Sequence, residues 1–175
     1  MKKNGFQLVL RRGIAFAFLA LMLCGVLVSC SDGGSEGGET SYCVTVSGTD
    51  LKPDMEMKSV TAALGNANNV RESQACPPFT GTERLYDFAA LQVTTYEESG
   101  TERVMVIYLK DESTSVSGVK IGSSVAEMKT ALGEAYTMLG TGTYVYTADN
   151  GSVLKCGVKD DVVRSISITT EKADD

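Results

Sequence analysis

The sequence predicts an α+β fold: two tandem β-α-β-β-β repeats forming an antiparallel sheet, with the helices packed on one face. Three observations predict it. Thr61-Ala62-Ala63-Leu64-Gly65 returns as Lys129-Thr130-Ala131-Leu132-Gly133, 68 residues later. Each copy carries apolar residues at i, i+3 and i+7: Met57, Val60 and Leu64, then Val125, Met128 and Leu132. That spacing makes one apolar helical stripe. Apolar runs bounded by turn residues then follow each helix, as strands do.

The elements are justified in order. A strand is expected over Cys43 to Val46, ahead of the first helix. Asp54, after Pro53, is placed to cap that helix, and Gly65 to end it in a left-handed conformation. Strands follow at Leu85 to Phe88, Leu91 to Tyr96 and Arg103 to Leu109, with Glu97 to Glu102 as a hairpin loop. The second copy begins with a strand near Val116 to Ile121. Ser117 to Gly122 loosely repeats Ser47 to Lys52. Ser124-Val125-Ala126-Glu127 has the form of a capping box, whose two side chains satisfy free amides of the first turn. Gly133 matches Gly65. Tyr144 to Thr147, Ser152 to Val158 and Val162 to Thr169 complete the second meander. Asp149-Asn150-Gly151 and Lys159-Asp160-Asp161 supply its turns.

A tandem pair of such units resembles the β-lactamase inhibitory protein fold. A single unit, with its Gly-Val-Lys-Ile-Gly-Ser-Ser helix start (118–124) and Ala-Leu-Gly helix end, is similar to the SmpA/OmlA envelope lipoproteins. The likeness covers about Cys43 to Thr170. It implies a role in the cell envelope. The inhibitor's enzyme-binding loops find no match, so no binding residue is carried over from them.

The first 29 residues read as a signal peptide. Lys2, Lys3, Arg11 and Arg12 form a basic start, and Ile14 to Val28 is a 15-residue uncharged run. That run is shorter than the roughly 20 residues of a permanent span. Leu27-Val28-Ser29-Cys30 resembles the lipobox of bacterial lipoproteins, with Cys30 the lipidated first residue after cleavage. Cys24 follows the bulky Leu23 and fits less well. The alternatives are an ordinary secreted protein and a retained anchor helix. Residues 30–41 read as a tether: Ser31 to Ser41 holds four glycines, three acidic residues and no aliphatic side chain. Residues 42–113 and 114–170 are then the two repeats, and 171–175 an acidic tail. The expected location is the bacterial cell membrane, lipid-anchored and facing outward.

Cleavage removes the four basic residues and no acidic one. The mature chain keeps 12 Lys+Arg against 22 Asp+Glu, a formal balance of −10. This argues against nucleic-acid binding, which rests on cations at phosphates. It also argues against electrostatic docking on anionic lipid. Two or more acyl chains, at about 0.8 kcal/mol per buried methylene, anchor the chain without such help.

No catalytic constellation is visible, and no cofactor or metal is expected. Histidine is absent, which removes the usual general base and the commonest zinc ligand. There is no glycine-rich phosphate loop. Asp149-Asn150-Gly151 lacks the spacing of a calcium loop. Glu97-Glu98, Asp111-Glu112, Asp160-Asp161 and Asp174-Asp175 are sequence neighbours, which point to opposite faces of a strand. Opportunistic calcium binding and a carboxylate-only glycosidase are the sharper readings of these pairs.

Cys43 and Cys76 are expected to pair in an oxidising envelope, worth roughly 3–4 kcal/mol in the chain-entropy description. The alternative is free thiols throughout. Cys156 alternates with Lys155 and reads as a small core residue. On the strand ending at Leu109, Met105, Ile107 and Leu109 form one face and Val104, Val106 and Tyr108 the other, both apolar. With the helices on the first, Tyr96, Tyr108, Tyr144 and Tyr146 would form an exposed protein-binding face, since tyrosine offers contact area at low entropy cost. The alternative is ordinary strand tyrosine with its hydroxyl at the rim. The expected function is therefore a non-catalytic surface module with a protein or peptide partner. The alternative, from the SmpA/OmlA likeness, is a structural or assembly factor of the envelope.

Overall fold

The computed structural model describes residues 41–173. The signal peptide, Cys30, the tether up to residue 40 and Asp174-Asp175 lie outside the described residues. The fold is a mixed α+β arrangement dominated by antiparallel sheet. Its strands are β1 (Val44–Val46), β2 (Thr49–Leu51), β3 (Asn69–Gln74), β4 (Thr82–Asp87), β5 (Leu91–Glu98) and β6 (Thr101–Leu109). After these come β7 (Thr137–Leu139), β8 (Thr143–Thr147), β9 (Val153–Lys159) and β10 (Val162–Thr169). The helices are α1 (Met57–Leu64) and α2 (Val125–Leu132).

Both helices span the apolar stripes that predict them. At α2 the capping box forms: Ser124 Oγ accepts the Glu127 amide at 3.2 Å, and Glu127 Oε2 accepts the Ser124 amide at 2.8 Å. At α1 the expectation fails. Its N-cap is Glu56, without a side-chain bond, because Asp54 lies too early and its carboxylate is engaged elsewhere. Gly65 (φ 77°) and Gly133 (φ 84°) end the helices with positive φ.

Eight strands form one sheet, in the order β3-β4-β5-β6-β10-β9-β8-β7. Each helix is followed by four strands, not three. The added β3 and β7 are the sheet's edges and are exposed along their whole length. The expected strands ahead of the helices do not join this sheet. β1 and β2 form a separate hairpin, and Val116 pairs only with Val119. Tight turns explain both: Ser47-Gly48 and Ser117-Gly118 have positive φ at each residue, the twist that favours two-residue hairpins. The expected loop at Glu97 to Glu102 shrinks to Ser99-Gly100 for the same reason, and Glu97 pairs with Glu102 in the ladder.

Register sets the faces. One row runs Tyr86, Val93, Ile107, Ile168, Leu154, Tyr146 across β4 to β8. These inner residues join Met57, Val60 and Met128 of the helices in a single core. The adjacent row runs Asp87, Gln92, Tyr108, Ser167, Lys155, Val145 on the outer face. Both central strands carry a one-residue irregularity, at Met105 in β6 and at Arg164 in β10. The extra residue reverses the alternation, so Val104 is a core residue with Ile107 and not a neighbour of Val106 and Tyr108.

The two central strands meet the segments ahead of the helices alike. Asp54 donates its amide to the Val104 carbonyl (2.8 Å), and Val104 donates to Met55 (2.9 Å). Gly122 donates to Val163 (2.8 Å), and Val163 donates to Ser123 (2.8 Å). Glu56 bridges Arg103 as Ser124 bridges Val162. Among the described residues no helix is long and apolar enough to cross a membrane.

Candidate functional site: the outer sheet face and its corner cleft

The four tyrosines do not share a face. The register turns Tyr144 and Tyr146 to the inner side, where Tyr146 is 1% exposed. Tyr136 packs on both, with centroids 4.8 and 5.8 Å away, and burial pushes the Tyr146 hydroxyl up to about 12. Tyr96 and Tyr108 do share the outer face, but Tyr96 is 3% exposed and Tyr108 43%. A side chain covering Tyr96, Phe79, comes from the loop between β3 and β4, with ring centroids 4.5 Å apart. That long-range contact leaves no local signal in the sequence.

Tyr108 therefore remains as the exposed tyrosine of the expected set. It sits mid-row on the outer face, between Gln92 and Ser167. Beside them, Lys110 Nζ donates to Asp87 Oδ1 and to the Phe88 carbonyl, each at 2.7 Å. Gln92 Nε2 donates to the same carboxylate at 3.2 Å. The Lys110 hydrogen bond holds Asp87 below the usual carboxylate range. The surface around Tyr108 is thus polar, balanced in charge and fixed by internal bonds.

At one corner of this face lies a cleft of about 740 Å³ that the sequence reading missed. It is lined by Pro77, Pro78 and Phe79 of the loop after β3, by Tyr96 to Ser99 at the end of β5, and by Lys172. Its polar frame is continuous. Tyr96 donates its hydroxyl to Asp54 Oδ1 at 2.7 Å. Arg103 Nη1 donates to the Asp54 carbonyl at 2.8 Å. Arg103 Nε lies 3.3 Å from Glu98 Oε2, an ion-pair separation without the alignment of a hydrogen bond. Lys172 Nζ donates to Glu98 Oε1 at 3.0 Å and lies 5.9 Å from the Tyr96 ring centroid. Burial, then the Asp54 bond, raises the Tyr96 pKa above its ordinary value; the Lys172 bond lowers that of Glu98. Lys172 belongs to a short 3-10 turn at Glu171–Ala173, so the segment read as an acidic tail begins as part of the cleft's lining.

The Cys43–Cys76 pairing is corrected. Cys43 is disulfide-bonded, Cys76 and Cys156 are free, and the partner of Cys43 lies outside the described residues. Distance in the fold separates the expected pair. The Tyr42 amide bonds Ser152 Oγ in the second half, whereas Cys76 sits beyond the edge strand β3. Cys156 is fully buried, as read, and its thiol is pushed up to about 12 by desolvation. Among the described residues no group of three His, Cys, Asp or Glu is arranged to hold a metal. Compared with known proteins, the chain matches no family model, no curated protein and no solved structure.

Proposed function

We propose that this chain is a lipid-anchored, non-catalytic binding module of the bacterial cell surface. On this reading it is built from two copies of one unit and offers its outer sheet face to a protein or peptide. The observation that carries the reading is Tyr108: a 43% exposed tyrosine mid-row on the sheet face that neither helix covers. Tyrosine at such a position is a preferred anchor for recognition. The neighbouring Asp87–Lys110–Gln92 bonds hold the surface in place before a partner arrives, which lowers the ordering cost of binding.

Three features support the two-copy part. The backbone bonds of Asp54 and Met55 to Val104 have counterparts at Gly122, Ser123 and Val163. Both helices end in glycine 68 residues apart. The sheet order is a palindrome of two four-strand meanders. The anchor rests on the lipobox-like Leu27-Val28-Ser29-Cys30.

Two experiments test the proposal. Radiolabelled palmitate should be incorporated by the full chain and not by Cys30→Ala. Cross-linking on intact cells should trap a partner through the outer face, and Tyr108→Ala should reduce recovery about tenfold or more, as loss of an interface anchor does. Equal recovery by the variant would reject this face.

A further inference from the structure

The sheet has two edges, and they differ in chemistry. β3 runs six residues and carries Arg71 and Glu72 at its middle. β7 runs three, Thr137, Met138 and Leu139, without a charge. Among the described residues each edge pairs on one side only, β3 with β4 and β7 with β8. Val70, Tyr108, Met138 and Leu139 are the exposed large hydrophobic residues of the described chain. Two of these four stand side by side on β7, Met138 at 47% exposure and Leu139 at 62%. Charge and short length both blunt an open sheet edge. β3 has the charge; β7 is merely short, and it sets apolar side chains at its rim.

The ladder shows which backbone groups of β7 are open. Val158 donates its amide to the Gly142 carbonyl at 2.7 Å, and the β8–β9 register runs unbroken from Thr143 to Thr147. Bonding direction alternates along an antiparallel strand. Tyr144 and Tyr146 therefore bond toward β9, and Thr143 and Val145 toward β7. Their partners on β7 are Leu139 and Thr137. The amide and carbonyl of Met138 are left pointing away from the sheet.

We infer that β7 is a self-pairing edge, through which two copies of this chain join about a two-fold axis at Met138. Such an axis stands perpendicular to the sheet and keeps each face continuous. A residue can then stand opposite only residues of its own face. With the axis at Met138, the two Met138 residues exchange both backbone bonds, and Thr137 of each copy faces Leu139 of the other. No charged residue is opposed. The other edge is unsuited to the same pairing. The two self-pairings that match most residues of β3 centre on Arg71 or on Glu72, and set like charges directly opposite, which is destabilising. Pairing β3 of one copy with β7 of another fares no better. Any full match of three β3 residues includes Arg71 or Glu72, opposite an uncharged residue, and the contact leaves a free edge at each end, so it grows into an open filament. The β7 pair alone closes. Three residues a side make a weak, reversible dimer with one continuous sheet.

The test is cysteine cross-linking of the full chain in detergent, on a Cys76→Ser background that removes the exposed native thiol. Residues that exchange bonds across an antiparallel pair have Cα atoms about 5.5 Å apart, inside the roughly 4.4–6.8 Å range of a disulfide. Under mild oxidation Met138→Cys should give a reducible dimer above the background level. Val70→Cys, similarly exposed on the other edge, should give none beyond background. Sedimentation of the unsubstituted chain at rising concentration should show a monomer–dimer equilibrium. Met138→Pro removes the outward amide and keeps the bonds to β8, a position where an edge strand tolerates proline. It should raise the dimerisation midpoint about tenfold or more, since both copies lose a bond. Leu139→Lys charges the same edge and should also raise the midpoint; it covers the case in which Met138→Pro fails to fold. Tyr108→Ala should leave the dimer unchanged, so this edge and the sheet face fail separately. No dimer with Met138→Cys, equal cross-linking of Val70→Cys, or a midpoint that a folded edge variant does not move would each overturn the inference.

Discussion

Replacing Asp54 by glycine tests how the cleft is held. Two effects oppose. Glycine relieves the positive φ of 65°, a gain of about 1 kcal/mol. It also frees the unfolded chain, a loss of about 0.5–1 kcal/mol. These nearly cancel. What remains is the hydrogen bond from Tyr96 to the carboxylate, 2.7 Å long. Tyr96 is 3% exposed, so its hydroxyl has little access to water as a replacement partner. Bonds to charged groups contribute roughly 1.5–3 kcal/mol. The Arg103 bond goes to the Asp54 carbonyl and survives. Allowing for partial solvation at the exposed Asp54, Asp54→Gly should destabilise the fold by about 1–2 kcal/mol. Urea denaturation should show a lower midpoint at unchanged slope. Asp54→Asn, which tolerates the same backbone and keeps an acceptor, should recover about half of the loss. Tyr96→Phe should give a similar loss, and the double variant should cost less than the two single changes together. If Asp54→Gly matches or exceeds the wild type, or if the two changes simply add, the Asp54–Tyr96 bond does not hold the cleft.

Other consequences follow from particular contacts. A thiol reagent should label Cys76 at once in the native chain and Cys156 only on unfolding, because the first is exposed and the second buried; Cys76→Ser should remove the fast phase. Ser124→Ala removes the hydroxyl's bonds with the Glu127 amide and carboxylate, while the Ser124 amide still donates to Glu127, and should cost about 1 kcal/mol in a thermal melt. A β-carbon at Gly142 would meet the Val158 backbone oxygen at 2.8 Å, which has no room to yield, whereas at Gly157 it would meet the end of the Ser165 side chain, which can rotate. Gly142→Ala should therefore destabilise by about 1–3 kcal/mol and Gly157→Ala by less, both read from urea midpoints. Tyr86 and Tyr146 are pushed up to about 12, chiefly by burial. Groups raised in the folded state contribute stability below their unfolded value and lose it above. Stability should be kept below pH 10 and lost as pH climbs from 10 through about 12, with tyrosinate absorbance rising alongside unfolding.

Local order in the sequence accounts for what could be read from it. The helices and their glycine ends were legible, because Met57, Val60 and Leu64 repeat at helical spacing and Gly65 stops the pattern, although the start of α1 was not: its N-cap is Glu56 and not Asp54. The same holds for Val125, Met128 and Leu132 before Gly133. Strand β10 was legible because one side of it is buried and its ends are sharp. Edge strands β3 and β7 were not. Asn69 to Gln74 is exposed on both faces, so no period-two signal marks it. The irregularities at Met105 and Arg164 were also hidden. One extra residue flips every side chain beyond it, which is why Val104 was grouped with Tyr108. The tyrosine face failed for a related reason. Which side Tyr144 and Tyr146 take depends on pairing between β8 and β9, and the burial of Tyr96 depends on Phe79 across the chain. The cleft was illegible because Pro77, Tyr96 and Lys172 share no local pattern.

On the two-copy reading, the location of the cleft has a physical logic. The inner rows cannot diverge freely. Val93, Ile107, Ile168 and Leu154 pack in one core with the stripes of both helices, and removing a buried side chain there costs about 2–5 kcal/mol. A corner of the outer face is under no such constraint. The loop 75–81 follows an edge strand exposed along its length, so lengthening it adds little closure entropy. Lys172 lies past the last strand, where a change leaves the ladder intact. Asp54 touches a central strand through a backbone bond that Gly122 makes equally well in the other half, and Arg103 projects from the outer side of that strand, opposite Tyr96. New side-chain chemistry could thus accumulate at this corner while the sheet, its seam and both helices stayed as they were. A corner altered this way should be confined to one half, as the Tyr96 corner is, and the second half should retain the unmodified geometry at Gly122.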